Sequence, residues 1–174
     1  KRAEMVTRKQ QIQAVLDSEI QPPIRWIDPA DYHMTLRFIG QLEPERIRTV
    51  SDELKAVCRT HVSGSISLNK WSWLPSAKRP KVLCMEGMAP SGLQQLQQSI
   101  ADMTSLVDFE SSSHAYRPHI SLARLGTRQS FGDNLLPVME PLEFDYGQVA
   151  LFKSDLSQEG ARYTALAEFD LAAG

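Results

Sequence analysis

Two segments of this chain carry nearly the same residue types in the same order: His33-Met34-Thr35-Leu36-Arg37-Phe38-Ile39-Gly40 and His119-Ile120-Ser121-Leu122-Ala123-Arg124-Leu125-Gly126. Each has a hydroxyl residue two positions after a histidine, a leucine at three and a glycine at seven. An imidazole serves as acid or base near neutral pH, because its ordinary pKa of about 6.5 leaves both protonation states populated. Two imidazoles can therefore serve one reaction, one ring removing a proton while the other delivers one. A single His-x-Thr or His-x-Ser says little, since these residues are ordinary occupants of half-exposed strands. Two copies in one frame form a pattern.

The element that must present these groups is a strand. Alternation sends His33 and Thr35 to one face and Met34 and Leu36 to the other, and separates His119 and Ser121 from Ile120 and Leu122 in the same way. The apolar pair anchors each strand on a core while the polar pair stays open to a ligand. Gly40 and Gly126 suit strand ends where the chain turns. With one copy in each half of the chain, the pattern predicts two related lobes, each lending one imidazole and one hydroxyl to a shared cleft. Spacing does not say which histidine is the acid, because the pattern is symmetric.

Beyond the two motifs, the chain resembles the two-histidine (2H) phosphoesterases, and within them the RNA 2′,3′-cyclic phosphodiesterases, also described as 2′-5′ RNA ligases. The residues that carry the resemblance are Ile24-Arg25-Trp26-Ile27 with Asp28-Pro29-Ala30-Asp31-Tyr32 before the first motif, Lys78-Arg79-Pro80-Lys81-Val82-Leu83, and Tyr116-Arg117-Pro118 before the second. The ending from Leu151-Phe152-Lys153-Ser154 to Gly160-Ala161-Arg162-Tyr163-Thr164 completes it. The family's short apolar opening strand has no counterpart in Lys1-Arg2-Ala3-Glu4-Met5, so one sheet is expected to lack that strand.

The resemblance implies metal-independent hydrolysis of RNA or nucleotide 2′,3′-cyclic phosphate ends to 2′-phosphates, with reversible 2′-5′ ligation as a further activity. Opening such a ring with water needs a base and an acid on opposite sides of phosphorus, because attack and departure are roughly in line. One histidine per lobe meets that demand. The family's pattern makes His33 the proton donor to the leaving 3′ oxygen and His119 the acceptor from water, while Thr35 and Ser121 would hydrogen-bond the non-bridging oxygens. Arg124 matches the family's phosphate or nucleotide contact, and guanidinium offers two parallel donors for it. Strict alternation puts Arg124 on the face opposite His119, so that role requires a bend or bulge before Gly126.

Arg37 shares the face of His33 by parity and is a second candidate contact, with a surface or inter-strand ion pair as the equal alternative. Phe38 could stack on a base, although core packing is the commoner use of a strand phenylalanine. Trp71 and Trp73 beside Lys70, Lys78, Arg79 and Lys81 form a basic–aromatic segment that either guides RNA or lies in a solvated loop. His61 suits a helix end, and His114 lies in a serine-rich loop. No cofactor and no metal are expected: the chain has no His-x-x-x-His and no Cys-x-x-Cys. Asp28, Asp31 and Glu43 read as turn and cap residues. A nucleotide- or RNA-binding module without turnover is the alternative function, and a structural duplication would leave the twin polar faces unexplained.

Composition frames this reading. At 174 residues the chain has room for one domain of two small lobes sharing a core, residues 1–174. A net charge of −2 argues against a broad nonspecific nucleic-acid surface, so contacts with RNA ends or cyclic nucleotides should be local. Two cysteines, no secretory segment and no bilayer-length apolar run predict a soluble protein of a reducing, cytoplasmic compartment, away from membranes; a monomer is the separate expectation for its assembly.

The expected elements are a first helix with Val6, Ile12, Val15 and Leu16 inward, a short strand around 24–27, and a second helix opened by Pro44 with Ile47, Val50, Leu54 and Val57 inward. Strands at 65–69 and 81–86 follow, then a helix from Ser91 burying Leu93, Leu96, Ile100 and Met103. The second motif strand, a short helix or loop over 127–138, and strands at 142–152 and 163–169 with Gly160 in a turn complete the chain. Interspersed helices and hairpin-linked strands predict an α+β class, with antiparallel sheets lining a central cleft and helices outside.

Overall fold

The computed structural model describes residues 2–20, 24–105, 115–126, 130–131, 135–157 and 160–174. The expectations for His114 and for parts of 127–138 lie outside the described residues. Within them the chain runs α1 (Arg2–Glu19), β1 (Arg25–Trp26), a 3-10 turn (Pro29–Asp31), α2 (Pro44–Arg59), β2 (Gly64–Leu74), β3 (Val82–Gly87), α3 (Ser91–Ser105), β4 (His119–Arg124), β5 (Leu142–Tyr146), β6 (Gln148–Ser157) and β7 (Gly160–Asp170). This is an α+β fold with one five-stranded sheet, in the order β1-β4-β3-β2-β5, and the two-stranded ribbon β6-β7. The pairings β1–β4, β2–β3, β3–β4 and β6–β7 are all antiparallel.

Contacts divide the chain into two compact units. The first comprises Lys1–Thr35, Ile66–Met88 and Arg117–Phe144. In it α1 buries Ile12 and Leu16, four residues apart, and Ile20, just past its end, is buried at the same spacing, whereas Val15, expected inward, is 40% exposed. The apolar positions of β2 follow Ile66, Leu68, Trp71 and Trp73, a period of two broken once, and the break is a bulge at Asn69 between the Leu68–Gly87 and Lys70–Glu86 pairs. Gly87 is required there, since a Cβ would collide with the Ser67 carbonyl oxygen.

The second unit comprises Leu36–Ser65, Ala89–Tyr116 and Asp145–Gly174. Pro44 at the first turn starts α2, and Val50, Leu54 and Cys58 are buried along one stripe. Helix α3 buries Leu93, Leu96, Ile100 and Met103 as the spacing predicts. The single strand expected over 142–152 is two, divided at Gly147, and Gly160 is the first residue of β7, paired with Ser157. Strands β2 and β7 outrun their expected ends, because long pairing carries them past residues that local sequence assigns to loops.

Candidate active site

Strand β4 is built on two consecutive buried residues. Ile120, Leu122 and Ala123 are all buried, while His119 and Ser121 are half-buried and Arg124 is exposed. The ladder to β3 explains the pattern: Glu86 pairs with His119, Cys84 with Ser121 and Leu83 with Ala123, leaving Leu122 as an extra residue. That bulge reverses the alternation, so Arg124, opposite Val82, returns to the face of His119 and Ser121. The bend that an Arg124 contact requires is present. Across the same face run Lys70–Glu86–His119, then Ser72–Cys84–Ser121, then Leu74–Val82–Arg124–Arg25. The opposite face carries Trp71, Trp73, Leu83, Met85, Ile120 and Ala123, all buried.

The first motif reaches the same strand from its other side. Residues Arg25–Trp26 pair with Arg124 and Ala123, Ile27 N–H donates to the Leu122 carbonyl at 2.8 Å, and after the 3-10 turn Met34 forms an antiparallel bridge to Ile120. Bridge partners project to one face, so Met34 goes with Ile120, and its neighbours His33 and Thr35 take the side of His119 and Ser121. The antiparallel sense places His33 toward Ser121 and Thr35 toward His119. The strand expected over 33–40 is only this bridge; Gly40, at φ 81°, occupies the left-handed region that favours glycine.

Both rings are held alike. His33 Nδ1 lies 2.7 Å from the Asp31 carbonyl and His119 Nδ1 lies 2.7 Å from the Arg117 carbonyl, each two residues upstream. A carbonyl oxygen only accepts, so each Nδ1 carries the hydrogen, and any proton transfer by the ring would go through Nε2. Asp31 belongs to a turn whose Asp28 carboxylate accepts from Ala30 N–H at 2.8 Å. Arg117 is fixed by a forked ion pair to Glu86, with Nε to Oε1 at 2.9 Å and Nη2 to Oε2 at 2.6 Å. Glu86 is 5% exposed, and Lys70 Nζ lies 3.5 Å from it. Burial alone would raise this carboxyl, but hydrogen bonds from Arg117 and Ser72 and the charges of Arg117 and Lys70 outweigh it and hold it at about 2. Burial, helped by the Glu86 charge, pushes the neighbouring Cys84 thiol up to about 12, so it is a neutral packing group.

The family model for the 2′-5′ RNA ligase superfamily matches residues 9–158. The chain belongs to that superfamily. A Bacillus subtilis protein named RNA 2′,3′-cyclic phosphodiesterase is 27% identical over 154 residues, covering 84% of this chain and 80% of its own length. One of the same name from Aquifex aeolicus is 26% identical over 155 residues, covering 84% and 81%. Among solved structures, TT0787 of Thermus thermophilus superposes with a TM-score of 0.82 at 21% identity, covering 98% of this chain and 93% of that one. Escherichia coli LigT complexed with 3′-AMP gives 0.70 at 20% identity, covering 94% and 91%. These likenesses establish the superfamily and its fold.

Against that fold, the expected residues sort unevenly. His33, Thr35, His119, Ser121 and Arg124 all fall in the first unit, so the contacts do not divide the motifs one to each unit; the Met34–Ile120 bridge ties the first motif to the strand of the second. Arg37 and Phe38 belong to the second unit. No strand continues beyond Met34, so parity no longer assigns Arg37 a face, and Phe38 is 80% exposed rather than packed in a core.

The basic–aromatic segment is corrected too: Trp71 and Trp73 are buried strand residues, Trp73 against Phe131 with ring centroids 5.0 Å apart, and Lys70 is engaged by Glu86. They line a groove of about 450 Å³ with Val138 and Met139 that includes neither motif. His61 has the expected helix-end role, with Nδ1 2.9 Å from the Val57 carbonyl and Nε2 3.2 Å from Ser99 Oγ. Asp28 caps its turn, while Glu43 precedes α2 without a side-chain cap bond. Sequence reasoning missed Arg25, in register with Arg124 and on its face, and the Glu86–Arg117 pair. The signals available were an arginine before Trp26 and a glutamate in an otherwise apolar strand. Among the described residues no helix is long and apolar enough to cross a membrane.

Proposed function

We propose that this protein hydrolyses 2′,3′-cyclic phosphate ends of RNA or nucleotides to 2′-phosphates, with His33 and His119 as an acid–base pair and no resident metal. His119 Nε2 takes a proton from water as its oxygen bonds to phosphorus; the bond from phosphorus to the 3′ oxygen breaks, and His33 Nε2–H supplies that oxygen's proton. Thr35 and Ser121 donate to the non-bridging oxygens, and Arg124 holds the phosphate or nucleotide with its planar fork. Arg37 and Phe38 are the further candidates for contact with the nucleotide, by charge and by stacking. With the 5′ hydroxyl of a second strand in place of water, the same proton transfers would bond that oxygen to phosphorus as the 3′ oxygen leaves, which gives the 2′-5′ linkage expected of the family, and their reversal would cleave it.

The observation that carries the reading is the Met34–Ile120 bridge, which sets two His-hydroxyl pairs on one face in opposite senses. The names of the curated relatives support the choice of substrate. The test is incubation of chelator-treated protein with a 2′,3′-cyclic nucleotide and identification of the product. A 2′-phosphate formed at undiminished rate is the expected result. Binding without turnover would make this a nucleotide-binding module, a 3′-phosphate would reverse the leaving oxygen, and activity lost to chelation and restored by a divalent cation would overturn the metal-free scheme.

A further inference from the structure

Between residues 117 and 119 the backbone is clamped at every step. Arg117 precedes Pro118, whose ring fixes its own φ and confines the residue before it to extended conformations. The Pro118 carbonyl accepts from Gly87 N–H at 3.2 Å, and the Arg117 side chain is locked by both carboxylate oxygens of Glu86. Glu86 is itself the β3 residue in register with His119. Three neighbouring positions of one chain are thus tied to two neighbouring positions of the next strand, and the group left at their centre is the Arg117 carbonyl that accepts from His119 Nδ1.

A buried carboxylate in a strand of Val, Leu, Cys and Met is costly, and one bound in a fork on a half-exposed arginine is weak evidence for stability as such, since an apolar residue of similar volume would pack at no such expense. Its geometric consequence is specific. The guanidinium is planar and the fork admits one orientation, so the pair adds a side-chain tether from residue 117 to β3 beside the backbone bond between Pro118 and Gly87.

We propose that the Glu86–Arg117 ion pair is a positioning device for His119: it fixes the direction of the Arg117 carbonyl, and that carbonyl fixes the ring's tautomer and orientation, keeping Nε2 as the proton-exchanging nitrogen. Neither residue is assigned contact with substrate; both act through the histidine. The value of the inference for catalysis rests on the acid–base role given to His119 above, but its structural content does not.

The test therefore reads the ring before it reads the reaction. In the full chain, long-range proton–nitrogen NMR correlations distinguish the hydrogen-bearing nitrogen of each imidazole from the bare one. Wild-type protein should show Nδ1–H at both His33 and His119. In Glu86→Gln, which keeps the shape but breaks the charged fork, His119 should become a mixture of tautomers while His33 is unchanged. Arg117→Lys, which keeps the charge without the fork, should do the same more weakly and serves if Glu86→Gln fails to fold. On a cyclic nucleotide, both variants should lose about tenfold in kcat with KM moved less than about twofold, the signature of misplacement rather than lost binding. A folded variant whose His119 retains a pure Nδ1–H tautomer overturns the inference. Wild-type protein inert toward cyclic phosphates would overturn the proposed function and leave the tautomer result standing.

Discussion

The two histidine segments reach the same end by different means, and the difference separates local from long-range construction. Each ring donates Nδ1–H to the carbonyl two residues upstream at 2.7 Å. For His33 that carbonyl belongs to a 3-10 turn built from its own neighbours, with Asp28 capping, Pro29 preset for the first position and Asp31 N–H closing on the Asp28 carbonyl at 2.9 Å. For His119 it belongs to an extended segment held by strand pairing and by an ion pair to a residue 31 positions away. A turn of five residues can be specified by their own preferences, whereas the strand version holds only when the sheet has formed. Repetition in the sequence thus reports a repeated demand on the imidazole and says little about how each copy meets it.

The largest expected effect treats the two segments as equals. His33→Ala and His119→Ala should each cost at least about a hundredfold in kcat/KM on a cyclic nucleotide, and the double variant little more, because acid and base act as a unit. Strictly multiplicative losses in the cycle would show two independent contributions instead. The next effect breaks the equivalence. Arg124→Ala should lower kcat/KM about ten- to hundredfold without unfolding the protein, and Lys at that position should restore only part of it. The bulge at Leu122 puts Arg124 on the histidine's face in the second motif, whereas no strand assigns Arg37 a face in the first. An effect of Arg37→Ala as large as that of Arg124→Ala would erase the distinction.

Smaller effects fall on stability and sharpen the local-against-distant contrast. Glu86→Gln should destabilise the chain by about 2 kcal/mol at neutral pH, measured by urea unfolding. The carboxyl is held at about 2 against an ordinary 4.5. Its contribution is therefore complete above the ordinary value and is lost as pH falls toward the depressed one. The gap between wild type and variant should accordingly close between about pH 4.5 and 2, and a gap independent of pH would remove the ion pair as its source. Smallest of all, Asp28→Ala should cost about 1 kcal/mol, the usual worth of a lost cap, and perturb the NMR signals of His33 while sparing those of His119.

This contrast also accounts for what the sequence made legible. The polar face of the second motif, the helices opened by Pro44 and Ser91 and the cap at Asp28 are written in neighbouring residues, and each is found in the structure. The bulge that turns Arg124 back was readable in part, since Leu122-Ala123 puts two small or apolar residues where alternation allows one. What local sequence did not disclose depends on partners far along the chain. The first motif needs β4 to hold it and makes a single bridge rather than a strand; Trp71 and Trp73 are buried because β3 pairs beside them; Glu86 finds Arg117 only across the ladder.

The measurement that bears most directly on the central claim is the pH dependence of kcat/KM on a 2′,3′-cyclic nucleotide for wild type and the two single histidine variants. With one ring required neutral and the other protonated, the wild-type profile should be bell-shaped. Residual activity of His119→Ala should lose the rise on the acid side, where the base is protonated out of action, and that of His33→Ala should lose the fall on the alkaline side, where the acid gives up its proton. Profiles of both variants that keep both limbs, or a variant with near-normal turnover, would contradict the assignment of this reaction to the paired imidazoles.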